Sequence, residues 1–367
     1  MRVFSLLLAF ALPGILGAQS LSIEEYSPKS GLVVPQHPVP KAGFPLIDVH
    51  NHQRNLSPER LRQLLADMDS INMRIMVNLS GGYGDRLAQT VQAMKSASKD
   101  RFAVFANIDF TGIDEPDYGK RAAAQLEQDV RSGAQGLKIF KNLGLDLKDG
   151  KGERIRTDDP RFDPIFEMCA KLNIPVLIHT GEPKGLFEPM DKYNERWLEL
   201  KKYPRRGRPP DRYPTWEAIM AEQHALFARH PKTKFINAHL GWMGGDLAAL
   251  GKLLDRLPNV YTEIAAVVEE LGRQPRFARQ WFVQYQDRVM FGKDTWRPEE
   301  YPTYFRILET ADEYFDHDRP HHGLWKVYGL DLPDEVLKKL YYKNALKVIP
   351  GLNAAGFQDQ ASSPASR

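Results

Sequence analysis

Five side chains able to bind a divalent metal stand at the ends of short apolar runs in this 367-residue chain. His50-Asn51-His52 closes the run Ile47-Asp48-Val49, and in extended backbone residues two apart point to the same side, so both imidazoles reach one place. His179 ends Val176-Leu177-Ile178, His239 ends Phe235-Ile236-Asn237-Ala238, and Asp294 ends Val289-Met290-Phe291-Gly292-Lys293. Imidazole and carboxylate are the ligands of zinc-type sites, where an open position lets the ion lower the pKa of bound water to about 7. The lone cysteine, Cys169, sits in a helical pattern beside Phe166 and Ala170 and reads as a core residue. With no second thiol, neither an intramolecular disulfide nor a thiolate cluster can form, so any metal is held by histidine and carboxylate.

Something must bring these residues together. Eight short apolar runs recur along the chain, beginning near Leu46, Arg74, Phe102, Gly136, Val176, Phe235, Val260 and Val289, each followed by a stretch of helical period. Ser57-Pro58 predicts a helix start, followed by Leu61, Leu64, Leu65 and Met68 on one face. Tyr118 to Ser132 predicts a helix stopped by Gly133, Thr215 caps another, and a last one follows Pro333-Asp334. Strands alternating with helices imply a parallel sheet, and eight of them fit an α/β fold of the (β/α)8 TIM barrel type. All five metal-capable residues then fall at C-terminal strand ends, the face where barrel active sites are built. A long connection after strand five, Pro183 to Pro214, would lie over that mouth as a lid or run as a solvated excursion.

The ends divide the chain further. Residues 1–18 carry one basic residue, an apolar run and a small-residue ending, the pattern of a signal peptide. The expected domains are therefore that signal, an extended N-terminal segment over 19–45, the barrel over 46–352 and a disordered tail over 353–367. An exported protein, periplasmic or secreted, is expected, with no stable membrane insertion after cleavage because the apolar run is too short to span a bilayer. A formal net charge of +3 from 50 basic and 47 acidic residues, spread evenly, argues against nucleic acid and for a small-molecule substrate; a homodimer remains an open alternative.

The pattern resembles the amidohydrolase superfamily, in the amidohydrolase-related branch that includes aminocarboxymuconate-semialdehyde decarboxylase. The resemblance runs from Leu46 to Leu352 and rests on His50-Asn51-His52, His179, His239, Phe291-Gly292-Lys293-Asp294 and the closing Tyr342-Lys343-Asn344-Ala345. It implies that His50, His52, His179 and Asp294 hold a divalent metal, with Zn2+ the expected ion, and that Asp294 and His239 are catalytic. Lys138, on strand four, corresponds to the lysine that binuclear members carboxylate to bridge two metals. A mononuclear site is favoured here, with Lys138 binding substrate instead.

Arg54, Glu182 and Arg297 flank the ligands and are candidate substrate-binding groups. Glu263 on strand seven reads equally as pocket or structural carboxylate, Lys141 is expected to face away from Lys138, and His321-His322 reads as a solvated turn. The function implied is a metal-dependent hydrolase in which metal-bound hydroxide attacks an amide, ester or lactone. The alternative is a nonoxidative decarboxylase or related lyase acting on a small carboxylic acid. A barrel that had become a binding protein would be expected to break the ligand set, and all five residues are present.

Overall fold

The computed structural model describes residues 20–357. Eight parallel strands run in sequence order: β1 Leu46–Asn51, β2 Met73–Asn78, β3 Phe102–Asn107, β4 Gly136–Ile139, β5 Val176–Ile178, β6 Phe235–Asn237, β7 Val260–Glu263 and β8 Val289–Met290. The sheet closes on itself, because the Val49 N–H donates to the Phe291 carbonyl at 3.0 Å and Asn51 forms a parallel bridge with Asp294. Strands covered on both faces need continuous apolar runs rather than alternation, and β1, β4, β5, β6 and β8 are buried throughout.

Local signals set the helices around this barrel. Ser57 and Thr215 cap the helices Pro58–Ser70 and Trp216–Arg229 by accepting from the N–H groups of Arg60 and Ala218. Gly133, at φ +110°, turns the chain out of the helix Tyr118–Arg131 into β4. Cys169 lies in the core, where burial pushes its thiol pKa up.

The signal peptide expected over residues 1–18 falls outside the described residues. Contacts split the chain after Val33: the described part of the first unit contains one turn, with Ser22 N–H and hydroxyl both on Glu25. Within the second unit, residues 34–45 follow the barrel surface, tied by His37 to Asp312 and by the Gly43 N–H to Glu309. At the other end, Ala354–Phe357 form a short turn and Phe357 stacks on Tyr342 at 5.2 Å, so this part of the expected tail is packed; residues 358–367 are outside the described chain.

The closing helix holds β8 in place. Its central turn, Lys339–Lys343, is π-helical, and the Leu340 carbonyl accepts from the Phe291 N–H at 2.9 Å. Beside it, the buried Asn344 amide donates to the carbonyls of Gln286 at 2.8 Å and Val289 at 2.7 Å, on either side of the turn into β8. Asn344→Ala leaves both carbonyls without that donor. A loss of about 1–3 kcal/mol is expected, read as a lower urea midpoint at unchanged slope.

Candidate active site

At the C-terminal mouth, β1 and β7 bring a histidine and a glutamate together with neither exposed to solvent. The His50 Nδ1–H donates to Glu263 Oε1 at 2.9 Å, which leaves the lone pair on Nε2. The same carboxylate accepts the backbone N–H of His239 at 2.7 Å and, on Oε2, that of Ala265 at 2.6 Å. His239 also donates from Nδ1 to the Ala265 carbonyl at 2.7 Å, so its lone pair is on Nε2. Space is tight here: a Cβ on Gly292 would lie 2.3 Å from Glu263 Oε2.

The remaining candidates converge on this core. Asp294 Oδ1 lies 3.6 Å from His50 Nε2 and 3.5 Å from His52 Nε2, and His52 Nδ1 rests 2.9 Å from the Ser80 hydroxyl. His179 Nδ1 is 3.3 Å from His239 Nε2. His50, His239 and Asp294 each offer a ligand atom within 4.8 Å of the others. Left-handed backbone positions them, at φ 76° for Asp294 and 59°, 54° and 56° for His239, Leu240 and Trp242. Such residues cost roughly 1–2 kcal/mol each and persist where surrounding bonds hold them, here through Glu263 and Ala265.

Burial sets the protonation states. It pushes His50 and His179 well below their ordinary range and His52 down to about 4, with Lys138 adding repulsion in each case. Burial alone would raise Asp294, but His50, His239, His52 and Lys138 outweigh it and hold the carboxyl well below its usual range. Neutral imidazoles beside an ionised carboxylate are what a metal requires of its ligands. Burial pushes Lys138 down to about 8, against the pull of Asp294 and Glu263.

Outside that centre, several expectations change. Lys141 does not face away: the strand ends at Ile139, the alternation ends with it, and Lys141 pairs with Glu182 at 2.5 Å. Glu182 is also held by Arg208 at 2.9 Å, which makes it an anchor for the connection after β5. Arg54 is exposed but near enough for its charge to act on His52, whereas Arg297 lies on the surface 3.4 Å from Glu300. The His321-His322 pair is no solvated turn, since His322 is buried with Nδ1 2.8 Å from Glu269 and Nε2 3.6 Å from Glu199. Glu199, from the connection after β5, also receives Arg196 at 3.1 Å and Arg206, so buried charge ties that connection to the loop following β8.

Two residues went unassigned in the sequence although their positions carried a signal. Glu263 ends a strand as the histidines do. Asp48 precedes His50 by two residues; its buried carboxyl, pushed up to about 6 by burial, accepts from the His50 N–H, Asn51 and Tyr301.

A model of the amidohydrolase family matches residues 47–351. The chain belongs to the amidohydrolase family. Among solved structures, it is similar to a 2,6-dihydroxybenzoate decarboxylase in complex with 2,6-dihydroxybenzoate, at 15% identity and TM-score 0.51, covering 83% of this chain and 99% of that one. A dihydroxybenzoic acid decarboxylase from Polaromonas sp. JS666 with bound manganese and 2-nitroresorcinol matches at 14% identity and TM-score 0.50, over 83% and 96% of the two chains. A 4-oxalomesaconate hydratase from Rhodopseudomonas palustris matches at 16% and 0.50, over 84% and 97%. At these identities the likeness is one of fold. A search of curated proteins returns no match.

Amidohydrolase-family proteins bind divalent metals, and the donor set here fits one. Two ligands about 2.1 Å from a tetrahedral ion stand about 3.4 Å apart, close to the separations at Asp294 Oδ1 and too long for hydrogen bonds. His50 Nε2 and His179 Nε2 are buried without a hydrogen-bond partner. Glu263→Gln places an amide where a carboxylate now accepts three N–H groups. Metal affinity is expected to fall about 10–100-fold, measured by chelator competition, with the protein still folded by circular dichroism.

Proposed function

We propose that the chain is a metal-dependent hydrolase acting on a small-molecule amide, ester or lactone, with one divalent ion, zinc by ligand preference, on His50, His52, His179 and Asp294. The observation that carries this reading is the meeting of Asp294 Oδ1 with the Nε2 atoms of His50 and His52, beside the partnerless His179 Nε2. When bound, the ion supplies Lewis-acid activation of water and of a substrate oxygen.

The chain's own groups do the rest. Asp294 is ionised and about one-third exposed, so it can accept a proton from water at the mouth and return it to the leaving group. His239, held by Glu263 and Ala265, directs the Nε2 lone pair toward the same point, where it orients the attacking water by accepting its O–H. Export, with removal of residues 1–18, belongs to the same proposal and is read by N-terminal sequencing of the mature protein.

One observation favours decarboxylation as a second reading: the buried Lys138 ammonium has no hydrogen-bond partner and would welcome a substrate carboxylate. In that reaction, Asp294, after taking a proton from water, or His239 delivers the proton to carbon as the bond to the carboxylate breaks and carbon dioxide leaves. Incubation of metal-loaded protein with lactones, amides and carboxylic acids in labelled water decides between them. Incorporation of water oxygen into product is expected; release of carbon dioxide without it selects the lyase. Loss of one carbon dioxide mass on acidification would instead reveal a carboxylated Lys138 and a binuclear centre.

Asp294→Asn removes the proton acceptor as well as one ligand charge. A fall in turnover of at least about 100-fold is expected. Wild-type turnover in a folded variant would refute the assigned role.

A further inference from the structure

Outside the strand-end centre, a second group of histidine and carboxylate side chains has a ring nitrogen left unused. Glu199, on the short helix Trp197–Lys202 of the connection after β5, is fully buried. His321 and His322 meet it from the segment between the helices Tyr301–Glu309 and Asp334–Lys338. Each of the three offers one ligand atom, and these atoms lie within 4.8 Å of one another.

Hydrogen bonding prepares His322 as a ligand. Its Nδ1–H donates to Glu269 Oε1 at 2.8 Å, which leaves the lone pair on Nε2. A carboxylate behind an imidazole in this way fixes the tautomer and raises the basicity of the nitrogen that faces a metal. The His322 Nε2 is buried, has no hydrogen-bond partner, and lies 3.6 Å from Glu199 Oε1. That separation is too long for a hydrogen bond and close to the roughly 3.4 Å between two ligands on one tetrahedral ion. His321 is half-buried, its ring 4.7 Å from that of His322 and nearly perpendicular to it at 83°. Two guanidinium groups already touch Glu199. Arg196 takes Oε2 at 3.1 Å and also pairs with Glu270 at 3.2 Å, whereas the half-buried Arg206 shares Oε1.

We propose that Glu199, His321 and His322 form a second metal site, of the zinc class, that fastens the connection after β5 to the segment carrying the two histidines. Two imidazoles and one carboxylate suit zinc, with a fourth position left to water. An ion that needs ligands from both segments binds only when they are together, so its binding stabilises that arrangement. Arg206 is its competitor: the guanidinium moves off Oε1 as the ion enters, which its partial exposure allows. The site contributes order to the connection and takes no part in the reaction at the strand ends.

Zinc titration of chelator-treated, full-length protein counts the sites. At micromolar free zinc, the unaltered chain is expected to bind one equivalent more than His321→Ala or His322→Gln, by equilibrium dialysis and metal analysis. His321→Ala removes only a half-buried ring and carries the test if His322→Gln does not fold. Arg206→Ala should tighten binding of this equivalent roughly ten-fold, because it removes a positive charge beside the ion. Zinc should also slow proteolytic cleavage between Pro183 and Pro214 at least about five-fold in the unaltered chain but not in His321→Ala. Equal zinc content in the unaltered chain and His321→Ala, weaker binding in Arg206→Ala, or equal cleavage with and without zinc would overturn the proposal and leave His322 as an imidazolium bridging Glu199 and Glu269. All of these chains keep the strand-end ligands, so such a failure leaves the proposed reaction standing.

Discussion

Two oxygens of one buried carboxylate receive three N–H groups from three parts of the barrel. Glu263, at the end of β7, accepts from the His50 ring on β1, from the His239 backbone after β6 and from Ala265 beyond its own strand. This arrangement fixes which nitrogen of His50 faces the mouth and stabilises the left-handed turn that carries His239. It also limits its neighbours, because no side chain fits at Gly292 beside it. A buried carboxylate is tolerated only when its lone pairs are filled, and here filling them arranges two of the histidines.

Charge follows from the same burial. Desolvation keeps the imidazoles neutral, while Asp294 stays ionised because the histidines and Lys138 surround it. Farther from the centre, ionic contacts hold the loops: Arg208 and Lys141 on Glu182, and Arg196, Arg206 and His322 on Glu199. The connection after β5 is thus secured by buried or half-buried charge as well as by a small apolar cluster in which Phe187 and Tyr213 meet Ile219 and Met220.

Much of this is legible in the sequence. Eight apolar runs, the Ser57 and Thr215 caps and the Gly133 stop correspond to elements in the structure, because they depend on neighbours only a few residues apart. Lys141 and His322 depart from their sequence patterns for different reasons. Strand alternation ends with Ile139, so Lys141 turns toward Glu182; His322 looks like a loop residue until Glu199 and Glu269, 123 and 53 positions away, close around it.

The sequence by itself determined the barrel, the strand-end position of His50, His52, His179, His239 and Asp294, and the histidine-carboxylate character of any metal site, since these follow from local periodicity and residue chemistry. Tertiary structure alone decided which nitrogen of His50 and of His239 carries the lone pair, that Glu263 and Asp48 support the histidines, and that Lys138 and Trp242 keep buried polar atoms without hydrogen-bond partners. The physical reason is range. Helix and strand formation is settled over a few residues, whereas hydrogen-bond satisfaction and desolvation depend on groups that meet only when β8 closes against β1.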